Sequence, residues 1–234
     1  MINLSISCGF GEENRYALEN IPASIQLPIY KYELFENNKK FIFEQLERNK
    51  VDVRVVHLPL DLFHRDFNDM LHIISLFRYR FHCHKYVIHP NKGIENFINL
   101  YKNSGVAAQL CIENFQYRKK KEFRTPLQII DACLRYGDQF KMTFDTSHSE
   151  KIWFDHKIMP YLLKYTSVIH LSNRAPGIGS HMPFNSPKGE LNLVGFVRDL
   201  KYRYNWHGDI ILEYMSEYQD KLRKNYHYLK RLLE

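Results

Sequence analysis

Short apolar runs recur along the chain and stop, one after another, on a side chain that can bind a metal. They read VRVVHLP (His57), KYVIHP (His89), LCIENF (Glu113), KMTFDTSH (Asp145 and His148), SVIHLSN (His170) and DIILEY (Glu213), and His181 follows in the loop after SVIHLSN. A buried strand ordinarily ends in turn residues. Runs that end in His, Glu and Asp instead put a ring of ligands along one edge of a sheet, the way a barrel builds a metal-dependent site at one mouth.

Strand-like and helix-like segments alternate from end to end. Strands are expected over Ile2–Ser7, Ser24–Pro28, Val53–His57, Tyr86–His89, Ala108–Glu113, Lys141–Asp145, Ser167–Leu171 and Ile210–Glu213. Helices are expected over Glu13–Glu19, Asn37–Lys50, Asp66–Phe81, Gly93–Asn103, Thr125–Tyr136, Asp155–Tyr165, Leu193–Tyr204 and Tyr218–Leu233. In the second helix Phe41, Ile42 and Leu46 share a face, and later Leu127, Ile130 and Leu134 do the same behind Thr125-Pro126, an N-cap followed by Pro at the first helical position. The strands are continuous apolar runs, which marks a sheet buried on both faces and therefore parallel. Eight strands each followed by a helix is the count for a closed (β/α)8 TIM barrel. An open doubly wound sheet is the other arrangement, but its strand ends lie too far apart to converge. The length of 234 residues suits one barrel domain spanning residues 1–234.

Composition narrows the class. Hydrophobic residues make up 44%, enough for a core and too many for a disordered chain. No apolar stretch is long enough to span a bilayer, and the start, MINLSISCGF, lacks the basic and long apolar regions of a signal peptide, so the cytoplasm is the expected compartment. Cys8, Cys83, Cys111 and Cys133 form no CxxC pair, which argues for reduced thiols rather than a zinc-cysteine site or disulfides. The net charge of +7 leans toward an anionic partner, or reflects no more than a lysine-rich solvated surface. No GxSxG elbow is present, and GIGS lacks the context of a phosphate loop.

Glu113, Asp145, His170 and Glu213 end four neighbouring strands, and tips spaced about 4.8 Å apart can reach one ion. Three carboxylates and one imidazole suit Mn²⁺, Zn²⁺, Mg²⁺ or Co²⁺ better than copper. His57, His89, His148 and His181 form a second group, for a second ion or for substrate, and Glu113 could bridge two ions. After the fifth strand, YRKKKEFR places Arg118 and Lys119 on the same rim, and the loop after the seventh offers Arg174 and Lys188. These are candidate contacts for a substrate anion, with a solvated charge run as the plainer reading. Trp153 and Phe154 could stack on a sugar ring, though core packing is the simpler role.

The ordered series HLP, IHP, IENF, FDTSH, IHLSN and ILEY resembles the xylose isomerase-like TIM-barrel superfamily. That group includes sugar isomerases and epimerases and the endonuclease IV branch of DNA-repair enzymes. The resemblance implies that Glu113, Asp145, His170 and Glu213 form the shared metal site. In the endonuclease branch it implies further ions held by residues matching His57, His89, His148 and His181. The Asp which that branch carries two residues before His181 is Gly179 here, so one ligand of a third ion is missing. The first expectation is a divalent-metal-dependent isomerase or epimerase of a sugar, sugar phosphate or polyol. In it Glu113 and Glu213 move the proton through an enediolate, and His148 binds a substrate hydroxyl. One ion is expected, with two or three allowed by the extra histidines. The alternative is an endonuclease IV-like multi-metal phosphodiesterase acting on abasic-site DNA or a related phosphate ester. A barrel that only binds its ligand is disfavoured because both glutamates are present.

Overall fold

A computed structural model describes residues 1–8, 24–59, 66–115, 122–123 and 125–234. Eight parallel strands close into a barrel: β1 (Ile2–Ser7), β2 (Ser24–Pro28), β3 (Asp52–His57), β4 (Lys85–Ile88), β5 (Gln109–Glu113), β6 (Phe140–Asp145), β7 (Thr166–Leu171) and β10 (Gly208–Leu212). Each pairs with its neighbours in chain order, and β1 closes the ring on β10 through Ile2–Gly208 to Ile6–Leu212. A short antiparallel hairpin, β8 (Asn173–Ala175) and β9 (Gly179–Met182), stands between β7 and the last helical crossover.

Seven α-helices are described around the barrel: α1 (Tyr32–Arg48), α2 (Phe67–Phe81), α3 (Ile94–Asn103), α4 (Pro126–Tyr136), α5 (Met159–Tyr165), α6 (Leu193–Tyr202) and α7 (Gln219–Leu233). The helix expected over Glu13–Glu19 lies outside the described residues. The Thr125 side chain accepts from Gln128 N–H and the Gln128 side chain reaches back to Thr125 N–H, with Pro126 opening α4, so the expected cap is formed in full.

Two of the expected helix faces are rotated. Phe41 is exposed while Phe35, Ile42, Phe43 and Leu46 are buried. Leu127 and Leu134 are exposed too, and α4 buries Ile129, Ile130, Ala132 and Cys133. The sheet takes the middle of each apolar stripe, and residues at the edge of the stripe stay in solvent whatever their size.

The inside of the barrel is layered. Val55, Val87, Cys111, Val168 and Ile211 form a separate apolar cluster. Each stands two residues ahead of a candidate ligand: His57, His89, Glu113, His170 and Glu213. Strand side chains alternate with period two, so the register that turns these five inward also turns the ligands toward the barrel axis. Two residues before the cluster come Lys85 and Asp209, at the opposite mouth. There Asp209, 1% exposed, accepts from Lys85 Nζ at 2.6 Å and Arg54 Nε at 2.8 Å. The larger core lies between strands and helices and includes Phe77, Tyr86, Tyr101, Phe140 and Phe144. All four cysteines are free and buried, and burial pushes the Cys8, Cys83 and Cys133 thiols up to about 12. Among the described residues no helix is long and apolar enough to cross a membrane.

Candidate metal centre at the C-terminal mouth of the barrel

Parallel closure brings the strand tips to one mouth. Asp145 on β6 stands directly beside His170 on β7, Glu113 ends β5, and Glu213 follows β10 by one residue. His170 Nδ1 lies 2.9 Å from Glu213 Oε2, 3.6 Å from Glu113 Oε2 and 3.8 Å from Asp145 Oδ2. His57 Nε2 and His89 Nε2 approach the same Glu113 oxygen at 3.2 and 3.3 Å. On the other side, His148 Nδ1 is 3.5 Å from Glu113 Oε1 and 3.6 Å from Asp145 Oδ2. His181 Nδ1 is 3.9 Å from both Asp145 Oδ2 and Glu213 Oε2. All eight sequence-derived ligand candidates therefore meet at one place.

They form three overlapping sets whose donor atoms lie within 4.8 Å of one another: His57, His89 and Glu113; Glu113, Asp145, His170 and Glu213; and Asp145, His148 and His181. Tetrahedral bonds of about 2.1 Å separate donor atoms by about 3.4 Å, and the observed spacings bracket that length.

Two details fit a cation better than a purely hydrogen-bonded cluster. Asp145 Oδ2 and His170 Nδ1 are buried without a hydrogen-bond partner, so the 2.9 Å approach to Glu213 is not in hydrogen-bonding geometry. His57 Nδ1 is 3.0 Å from the Leu58 carbonyl. A carbonyl can only accept, so Nδ1 carries a proton, and Nε2 is the nitrogen turned to Glu113 Oε2 at 3.2 Å. Ring nitrogens this close to carboxylate oxygens need a positive charge between them, a proton or a metal ion. The donor set, imidazole plus carboxylate, suits zinc, manganese or cobalt.

The same crowding governs protonation. Burial raises the Glu113 carboxyl, but His170 and His89 outweigh it and hold it well below the carboxylate range. For Glu213, His170 outweighs burial and brings the pKa to about 2. Burial opposes charge on His148, yet Asp145, Glu113 and Glu213 lift it to about 9. His170 is raised well above its ordinary value against the same burial penalty, chiefly by Glu213 and Glu113.

The third set is the weakest. Asp145 Oδ1 already accepts from Ser147 N–H at 2.7 Å, Ser147 Oγ at 2.8 Å and His148 N–H at 3.1 Å. Only Oδ2 is left, and the four-residue set needs it too. Position 179 supplies no carboxylate: it is an exposed glycine with φ of 120°.

The supporting residues were not singled out from sequence. Buried Asn114 donates to the Asp145 carbonyl at 3.1 Å and accepts from Asp145 N–H at 2.7 Å, fixing the DTSH turn. Gln26 Oε1 lies 2.8 Å from His170 Nε2. The signal for Gln26 was a lone amide inside the apolar SIQLP run. The loop after β7 is partly ordered as the β8–β9 hairpin. His181, at φ 58°, sits on it within 3.3 Å of Ser172 Oγ. Of the anion candidates, Arg174 pairs with Glu190 at 3.3 Å and Lys188 is exposed. Arg118 and Lys119 lie outside the described residues. Trp153 and Phe154 pack against the core, Phe154 with its ring 5.6 Å from Phe144 and 5.2 Å from Phe196.

No family model matches the chain, and no curated protein matches it. Solved structures share its fold. The 3-keto-D-glucoside 4-epimerase of E. coli superposes with a TM-score of 0.71 at 11% identity, covering 99% of both chains. A xylose isomerase domain protein from Planctomyces limnophilus gives 0.66 at 11% identity over 98% of this chain and 95% of its own. Endonuclease IV from Thermus thermophilus gives 0.64 at 13% identity over 99% and 98%. The chain thus has the barrel fold seen in xylose isomerase-like proteins, sugar epimerases and endonuclease IV.

Proposed function

We propose that the chain is a divalent-metal-dependent enzyme that hydrolyses a phosphate ester at a centre of two ions sharing Glu113. The observation that carries this reading is the position of His57 and His89, both within 3.3 Å of Glu113 Oε2, beside a four-residue set that is complete without them. The sequence by itself favours isomerisation. A glutamate that must collect a proton from carbon needs a free oxygen, and three imidazoles converge on Glu113 Oε2 while His148 faces Oε1. That crowding suits a bridging ligand better than a base.

Glu113, Asp145, His170 and Glu213 would hold one ion, and His57, His89 and Glu113 the other. Ions so held would polarise a substrate oxygen and acidify water. The chain's own groups do the rest. His148 and His181, their ring centroids 4.9 Å apart, flank the cluster, and His181 is 23% exposed in its side chain. Imidazoles there can grip a phosphoryl oxygen or give a proton to the leaving alcohol. Asp145 Oδ1, tied to the Ser147 and His148 backbone, sets where His148 begins. The apolar cluster beneath closes the floor of the site against water from the far mouth.

A second reading keeps the sugar isomerase or epimerase, with a single ion in the four-residue set. The 20% exposure of the Glu213 side chain favours it, since that carboxylate can reach a substrate carbon. Bound-metal stoichiometry and turnover separate the two. Two ions per chain with cleavage of bis(p-nitrophenyl) phosphate or an abasic-site oligonucleotide are expected. One ion per chain with exchange of a sugar C–H proton for solvent deuterium would replace hydrolysis with isomerisation.

A further inference from the structure

Gln26 is fully buried on β2, at the Nε2 edge of the His170 ring. Its Oε1 is 2.8 Å from His170 Nε2, and its Nε2 is 3.5 Å from both Glu213 Oε1 and Ser7 Oγ. An amide can be turned end for end, and here its neighbours decide the orientation. With the amide reversed, the carbonyl oxygen would face the Glu213 carboxylate oxygen, two acceptors with no proton between them. As placed, the NH₂ faces Glu213 and the carbonyl must accept from His170. His170 Nε2 therefore carries a proton, and Nδ1 is the nitrogen turned to Glu213 Oε2, Glu113 Oε2 and Asp145 Oδ2, the one whose lone pair an ion would take.

We propose that Gln26 is a positioning residue that fixes His170 in its Nε2–H tautomer and orients His170 and Glu213 together toward a divalent ion. This rests on the four-residue metal set proposed above, but not on which reaction the set performs. The partner outside the ligand shell restricts ring rotation and tautomer before the ion arrives, and loss of such partners weakens metal affinity about 10- to 100-fold. Gln suits the task because a neutral amide offers both functions at once. A carboxylate would accept from His170 but would face Glu213 with a second negative charge.

The test has two arms. In zinc-loaded protein, long-range ¹H–¹⁵N spectra of the histidine rings should show His170 protonated at Nε2 alone, and in ion-free protein the same Nε2–H should be present with Nδ1 protonated as well, assigned by loss of its signals in His170→Gln. In Gln26→Leu the Nε2–H should no longer be held, and zinc affinity by chelator competition should fall 10- to 100-fold. Gln26→Glu keeps the acceptor for His170 but sets a second carboxylate against Glu213, so it should retain the His170 Nε2–H signal and recover the affinity only in part. A native-like zinc affinity in Gln26→Leu, or His170 protonated at Nδ1 alone in the native chain, overturns the assignment. If the native chain takes up no divalent ion while the Nε2–H tautomer is seen, the metal reading fails and the tautomer assignment stands.

Discussion

At the scale of single residues, the most exposed wager is Asp145. Its two oxygens have separate duties: Oδ1 builds the DTSH turn, and Oδ2 is buried without a partner. Asp145→Asn keeps an acceptor for the turn and puts an NH₂ where a ligand oxygen stood. The expected result is a loss of divalent-ion affinity of at least 100-fold, beyond the range for residues outside the ligand shell, with an ion-free protein that still folds but melts lower, since the chief charge lifting His148 is gone. Isothermal titration and a melting curve read both; native affinity would remove Asp145 from the ligand set. The convergence of the candidate ligands was legible because His, Glu and Asp are rare at the ends of apolar runs. Gln26 and Asn114 were not, since an amide in a strand or after it carries no chemistry until its partner is known, and theirs lie 144 and 31 residues away.

At the scale of elements, the strands were legible to within a residue or two because most are short apolar runs bounded by polar residues, although β1, INLSIS, alternates and β2 and β3 each hold one polar residue inside the run. Helix orientation was less so. Phe41, Leu127 and Leu134 fall in helical stripes yet face solvent, because periodicity defines a stripe but not which edge of it the sheet selects. The β8–β9 hairpin, with strands of three and four residues, falls below the length at which alternation is readable. What holds it is Asn173. Its side chain donates to the Phe184 and Leu191 carbonyls at 3.1 and 2.9 Å and accepts from Leu191 N–H at 3.1 Å and Arg174 N–H at 2.9 Å. Asn173→Ala should cost about 2–4 kcal/mol, at about 1 kcal/mol per bond lost, and loosen the mount of His181. Gly189→Ala should do similar harm, since its new methyl would stand 2.3 Å from the Asn173 side chain. Urea unfolding gives the cost, and proteolysis within residues 176–190 gives the loosening. A native midpoint in both variants would show that the hairpin is held elsewhere.

At the scale of the whole molecule, closure is what assembles the site, and closure is also what loads it with opposed charges. Glu213 folds to a pKa of about 2 against its ordinary 4.5, so its contribution is present above 4.5 and lost as pH falls through 2. Glu113 shifts the same way. His148 rises from 6.5 to about 9, so its contribution is full below 6.5 and disappears as pH climbs through 9, and His170 shifts the same way. The ion-free barrel is therefore held best between about pH 4.5 and 6.5, where carboxylates and imidazolium groups are charged together. A divalent ion held as proposed would take over the role of those protons. Loading at pH 7 should release protons, seen as a dependence of the binding heat on the buffer. It should also raise stability by about 2.7 kcal/mol at a free-ion concentration one hundred times Kd. Melting curves from pH 5 to 9 with chelator should fall above pH 6.5, while those with excess zinc should stay level, because alkali removes a proton but not the ion. Two curves that descend in parallel would mean that the imidazoles meet at the barrel mouth for some purpose other than holding a metal.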